Sequence, residues 1–248
     1  MAWAGEIYDN HLLRFALHCS FIWCAKLLHQ DNPNYGKASE YENKNSMKYA
    51  LTLPRAVSHS NKYFGSTSFL DHGTGKGGLV QSLRKHIKDN FTIDGYDPAV
   101  QEYSSMPSKK YDIVSSIDVL EHIGISEIDT LIHEISGLTE RFFFFCIDLL
   151  PASKKTKDNR NAHFLVAPSD WWIQKIKHQF RVVTSVEVGE IDDGSRYPMH
   201  LLGCATNSMN NYVEMSAFLR HIELANVRWV FDRNKRGVTF KPYWRHDN

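Results

Sequence analysis

Asp71-x-Gly73-x-Gly75-x-Gly77 is the stretch whose residue types and spacing point most directly to chemistry. The short run Ser68-Phe69-Leu70 leads into it and a segment with helical spacing follows, so the pattern predicts a strand, a glycine-rich loop and a helix N-terminus. Such a junction sets backbone N–H groups and the positive end of a helix dipole at a sheet edge, where a nucleotide-like ligand can approach bare backbone. Glycine suits the loop because a Cβ would block either the turn or the ligand. Further along lie Asp97 and Asp118, each at the end of a strand-like segment, then Glu121 and His122 in the loop after the latter, and His163. A strand-end carboxylate can accept two hydrogen bonds from a diol. A histidine with a pKa near neutrality can take a proton from a hydroxyl.

The neighbours of the glycines bear on which ligand the loop takes. Gly73, Gly75 and Gly78 also satisfy the dinucleotide spacing G-x-G-x-x-G, with Asp97 downstream of it. Asp71, however, stands where a dinucleotide fold usually carries an apolar residue. A carboxylate there would repel a diphosphate and suits a cationic group such as an amino-acid ammonium. A phosphate-binding loop of the Walker type fits poorly, since Lys76 is followed by Gly77 rather than Ser or Thr.

The string Asp71-His72-Gly73-Thr74-Gly75-Lys76-Gly77 resembles motif I of the class I S-adenosylmethionine-dependent methyltransferases. Two later segments resemble that family in the order it requires. Phe91 to Pro98 reads as a second strand ending in Asp97, and Tyr111 to His122, YDIVSSIDVLEH, as a third strand running into a loop. The resemblance implies that Asp71 lies near the methionine part of S-adenosylmethionine and that the turn through Gly73, Thr74, Gly75 and Gly77 lets the backbone pass under its adenosine. It implies that Asp97 and Pro98 flank its ribose, and that Asp118 and Val119 border its adenine and methionine parts. Glu121 and His122 would then face the acceptor. The family pattern is broken between Ala99 and Lys110, where a helix and a strand do not fit, so the usual third strand is expected to be reduced. His72 has no role in this reading.

These motifs need a sheet to position them. Ser126 to Leu138 carries a helical stripe with Ser126 as N-cap, Phe142 to Leu149 (FFFFCIDL) reads as a strand buried on both faces, and Ser169 to Phe180 as another helix. Arg181 to Val188 and Met199 to Thr206 read as two further strands, joined through Asp192 to Ser195. Strands alternating with helices predict an α/β, doubly wound, Rossmann-like, mostly parallel sheet, and the resemblance adds an antiparallel last strand. The expected organisation is an N-terminal helical extension over 1–65, the methyltransferase core over 66–206, and a C-terminal extension over 207–248 packing on it.

The extensions are less informative. Leu12 to Leu28 is largely apolar but carries Arg14, His18 and Lys26, is shorter than the roughly 20 residues of a spanning helix, and lacks a basic start. It is read as a helix packing on the core, followed by a polar loop over Gln30 to Lys48 and a short helix over Leu51 to Tyr63. Tyr212 to Val227 has helical spacing. The tail from Arg228 interleaves Trp229, Phe231, Phe240, Tyr243 and Trp244 with basic residues; it reads as a hairpin turning at Asn234 to Gly237, and a single-stranded nucleic-acid platform is the other use of such a pattern.

Composition adds bounds. With 29 basic and 28 acidic residues in 248 there is no overall field to attract a polyanion, so nucleic acid is not favoured. The four cysteines form no C-x-x-C pair, which suits free thiols and a cytoplasmic setting, and the 13 histidines form no H-E-x-x-H or comparable motif, so no metal is expected. The expected function is transfer of a methyl group to a small-molecule or glycan-like acceptor, with S-adenosylhomocysteine as product and no membrane partner. His163 and His122 are each candidates for the base, the former from the segment Arg160-Asn161-Ala162-His163 that precedes Trp171-Trp172. Glu121 would orient one of them or bind the acceptor. A nucleic-acid methyltransferase and a non-catalytic cofactor-binding module are the alternatives.

Overall fold

The computed structural model describes residues 44–87, 90–153, 155–156, 158–192, 195–222 and 243–247. Within them the helices are α1 (Lys44–Phe64), α2 (Gly78–His86), α3 (Ile128–Leu138) and α4 (Ser169–Lys177), with residues 212–222 also helical. The strands are β1 (Ser68–His72), β2 (Thr92–Tyr96), β3 (Tyr111–Ile117), β4 (Thr139–Asp148), β5 (Val182–Asp192), β6 (Ser195–Thr206) and β7 (Tyr243–Asp247). They form one seven-stranded sheet in the order β2-β1-β3-β4-β6-β5-β7. Pairing is parallel from β2 through β4, and β6 runs antiparallel to both β4 and β5. The expected α/β Rossmann-like sheet with a late antiparallel strand is therefore present. Between Asp97 and Tyr111 there is a single 3-10 turn, Gln101–Tyr103, and no strand, as the length of that segment requires.

β4 shows why the sheet is central. Phe142, Phe143, Phe144 and Phe145 are all fully buried, with Phe143 and Phe145 in one apolar cluster and Phe142 and Phe144 in the other. Successive side chains of a strand point to opposite faces, so an unbroken apolar run requires cover on both. Ile128, Ile132, Ile135, Trp172 and Ile176 supply it on one side. Leu53, Val57, Leu79, Leu83, Met215 and Phe218 supply it on the other. At about 1.5–3 kcal/mol for each large apolar side chain taken from water, this double layer fixes β3 and β4 at the centre, with their C-terminal ends side by side.

Several expectations are corrected. The polar segment read as a loop up to Lys48 is helical from Lys44, and the short helix over Leu51 to Tyr63 lies inside the longer α1, which runs through Pro54. Proline there forfeits a helix hydrogen bond, and the complete burial of Leu53, Ala56 and Val57 offsets it. Ser126 does not cap α3, whose N-cap is Glu127; the Glu127 and Ile128 N–H groups donate instead to the Gly124 carbonyl. β5 and β6 extend beyond the predicted Val188 and Met199 until Asp192 faces Ser195. In the tail, 243–247 pairs antiparallel with β5, while the predicted helix at Leu12 to Leu28 and the predicted turn at Asn234 to Gly237 lie outside the described residues. Cys146 and Cys204 are buried thiols outside any disulfide.

Candidate active site

The C-terminal ends of β1, β2, β3 and β4 lie along one edge of the sheet; Asp71 lies near the end of β1 itself, His163 follows β4, and every other predicted ligand-side residue lies in the segment directly following one of the first three strands. After β1 the chain turns through Gly73 (φ 83°), Gly75 (φ 55°) and Gly77 (φ 73°), all in the left-handed region that disfavours a side chain. The three glycines have different surroundings. A Cβ on Gly73 would run into the Val119 side chain, and one on Gly77 into the Tyr103 ring. A Cβ on Gly75 would meet nothing within 4 Å, so this backbone faces open space, as a ligand-bearing turn should.

Asp97 ties the loop to the second strand. The Gly75 N–H donates to its Oδ2 (2.9 Å) and the Ala99 N–H to its Oδ1 (2.9 Å), while Gly73 and Thr74 N–H both donate to the Tyr96 carbonyl (2.8 and 3.1 Å). Each carboxylate oxygen of Asp97 keeps a second lone pair, the geometry needed to accept from the two hydroxyls of a diol. Pro98, next to it, is buried. Asp71 is 5% exposed, and its Oδ1 accepts from the Ser115 hydroxyl at 2.7 Å. Burial pushes its carboxyl above the ordinary range, and the Ser115 hydrogen bond opposes that rise. A buried carboxylate whose side-chain donors are the neutral hydroxyls of Ser115 and Thr74 is under-solvated and favours a cation beside it. Ser115 itself carries no motif; only the pairing of Asp71 with Ser115 in the sheet register reveals it.

Asp118 closes β3 in a left-handed conformation (φ 53°), rare for a residue with a side chain. Its N–H donates to the Cys146 carbonyl at 3.0 Å, and its Oδ1 accepts from Cys146 Sγ at 3.6 Å, which fixes the turn against β4. Val119 then reaches under Gly73, so the glycine loop and the β3 loop share one floor. His72, unassigned from sequence, is fully buried: its Nε2 pairs with Glu134 Oε1 at 3.1 Å and its ring stands edge-on to Tyr96. It is part of the wall behind the loop.

Glu121 and His122, in the turn that follows Val119, meet His163 from the segment after β4. Glu121 is fully buried, and its Oε1 accepts from the Asp148 N–H at 3.0 Å. Burial raises its carboxyl well above the usual range, reinforced by the negative charges of Asp118 and Asp148. His122 Nδ1 donates to the Ala162 carbonyl (2.8 Å) and His163 Nδ1 to the Leu150 carbonyl (2.5 Å). The rings stand edge to face with centroids 4.8 Å apart. His163 is brought there by Asn161, whose Oδ1 accepts from the Ala152 and His163 N–H groups and whose Nδ2 donates to the Ala152 carbonyl (2.9 Å each). Arg160 points elsewhere, to Asp158 and over the Phe164 ring. One ligand-type atom from each of Glu121, His122 and His163 lies within 4.8 Å of the others. The expectation that no metal group would form rested on spacing along the chain, whereas this cluster is assembled across it.

Comparisons with known proteins agree with this geometry. Residues 37–187 match a family model described as a methyltransferase domain. Among solved structures, the plantazolicin methyltransferase BamL, in complex with a triazolic desmethylPZN analogue and S-adenosylhomocysteine (SAH), aligns with a TM-score of 0.52 at 14% identity, covering 81% of this chain and 100% of that one. The plantazolicin methyltransferase BpumL, with the same kind of analogue and SAH, aligns at 0.50 and 12% identity over 81% and 100%. No curated protein matches in sequence. No helix among the described residues is long and apolar enough to cross a membrane.

Proposed function

The chain belongs to the methyltransferase domain family, and from that membership we propose that it transfers a methyl group from S-adenosylmethionine to a small-molecule or glycan-like hydroxyl acceptor. The observation that carries the reading is the cradle of Asp71, the Gly73–Gly77 turn and Asp97. It pairs a buried carboxylate for an ammonium with a two-oxygen acceptor for a ribose diol, around a glycine whose backbone faces open space. The likeness of fold to two structures holding SAH supports it. The 1–65 and 207–248 segments are assigned as additions to a core over 66–206.

The transfer is an in-line displacement: the acceptor oxygen's lone pair forms the new O–CH3 bond, the S–CH3 bond breaks, and sulfur keeps that pair as a neutral thioether. The donor is already activated by its sulfonium charge, so the protein's work is alignment in a closed pocket and removal of the acceptor's proton. We assign the second task to the group formed by Glu121, His122 and His163. With each Nδ1 proton committed to a carbonyl, Nε2 is the basic atom of both neutral rings. Val119, which touches Gly73, directly precedes the turn that carries Glu121 and His122, and this supports an acceptor bound beside the donor cradle.

Calorimetry with S-adenosylmethionine, SAH and NAD tests the donor site: the first two should bind in the micromolar range and NAD should give no signal. NAD binding without any response to the methyl donor would overturn the reading. For the acceptor side, His163→Ala should leave SAH affinity within about twofold while methyl transfer to hydroxyl acceptors falls roughly 100-fold, the scale of a lost proton acceptor.

A further inference from the structure

We propose that Glu121, His122 and His163 bind one divalent first-row transition-metal ion beside the donor loop. The three side chains already present one ligand-type atom each within 4.8 Å of one another, a separation that small side-chain rotations reduce to the roughly 3 Å between neighbouring ligands of an ion bound at about 2.1 Å. Both imidazoles have Nδ1–H held by a backbone carbonyl, as metal-binding histidines commonly do, which leaves Nε2 as the ring atom able to ligate an ion. The carboxylate supplies an independent sign. Glu121 is fully buried, its Oε1 is held by the Asp148 N–H, and its Oε2 is buried with no hydrogen-bond partner among the described residues. A desolvated carboxylate oxygen without a donor is costly to bury, and a cation at the cluster removes that cost.

Two imidazoles and one carboxylate favour manganese, iron, cobalt or zinc over magnesium or calcium, and three protein ligands leave coordination positions open. The role of the ion rests on the methyl-transfer reading above and deepens it. With Nε2 of both rings committed to the ion rather than acting as a free base, a hydroxyl acceptor occupying an open position would be bound as an oxygen ligand, and the ion would lower its pKa so that its proton passes to water. The resulting alkoxide attacks the methyl carbon as the S–CH3 bond breaks. Oxygen acceptors, rather than amines already carrying a free lone pair, are the substrate class that gains from this arrangement.

The test is titration of the chelator-treated full chain with Co2+, followed by its visible ligand-field absorption, alongside SAH calorimetry on the same sample. We expect one equivalent of Co2+ to bind, with His163→Ala and Glu121→Gln each weakening it by about 100-fold or more, beyond the 10–100-fold typical of outer-shell changes. Circular dichroism melts confirm that each variant is folded, and His163→Ala, on a half-buried loop residue, stands if Glu121→Gln does not fold. Co2+ absorption that is absent, or unchanged by His163→Ala, overturns the metal site. SAH binding in that same sample separates the two conclusions: the metal proposal then fails while the methyltransferase reading holds, and loss of SAH binding with Co2+ retained fails the reversed pair.

Discussion

Replacing Asp97 is the sharpest probe of the donor cradle. In the ligand-free protein each of its oxygens accepts one backbone N–H, from Gly75 and Ala99, and each retains one further lone pair for a ribose hydroxyl. Asp97→Ala therefore removes two charge-assisted acceptors from the ligand and releases the Gly75 N–H that sets the turn. A single hydrogen bond to a charged group is worth about 1.5–3 kcal/mol. Because the two bonds to one diol are not additive, we take that range for the whole loss. At about 1.4 kcal/mol per factor of ten, SAH affinity should fall roughly 10- to 150-fold. Asp97→Asn should sit between, since it keeps one oxygen to accept from a backbone N–H but places an amide where a hydroxyl must donate. Isothermal calorimetry at constant ionic strength measures both, with chemical denaturation as the control for folding. A dissociation constant within threefold of wild type for folded Asp97→Ala would show that the ribose is not held here.

Two other outcomes follow from the same loop. Gly77→Ala should lower unfolding free energy by at least about 1–2 kcal/mol, the cost of a side chain in the left-handed region, because its Cβ also meets the Tyr103 ring; Gly75→Ala faces open space and should weaken SAH more than its similar backbone cost weakens the fold. Urea denaturation and calorimetry in parallel check the contrast, and equal effects of the two on binding would refute it. Asp71 gives a pH signature. Its folded-state carboxyl lies above the usual 3.8 because it is buried, so just above that pH the native protein holds more protons than the unfolded chain and this group's contribution to stability falls as pH rises. Asp71→Asn should thus raise the melting temperature of the ligand-free protein at neutral pH while weakening SAH. In wild type, SAH affinity should drop on acidification at a pH above 3.8, as the carboxylate that faces the ammonium is neutralised. Asp71→Asn binding SAH as tightly as wild type would remove this carboxylate from the ammonium site.

What the sequence settled is what depends on neighbours along the chain. The glycine turn was legible because glycine is the residue that readily takes three positive φ angles in five residues, and the order of Asp71, Asp97 and Asp118 because each lies at the end of a segment whose length fits a strand. Phe142 to Phe145 declared a two-faced central strand through the period of two. The missing third strand followed from chain length alone. Tertiary structure decided whatever joins residues distant in sequence. Glu134 became the partner of His72, Glu214 came to pair with Arg141 and to accept from the Ser66 hydroxyl, and residues 243–247 extended the sheet at β5. Above all, Asn161 folded the segment after β4 so that His163 reached His122 and Glu121. No periodicity encodes that meeting, because it is set by where the burial of two apolar faces brings the ends of β3 and β4 together, and by backbone carbonyls that orient each ring only once that has happened.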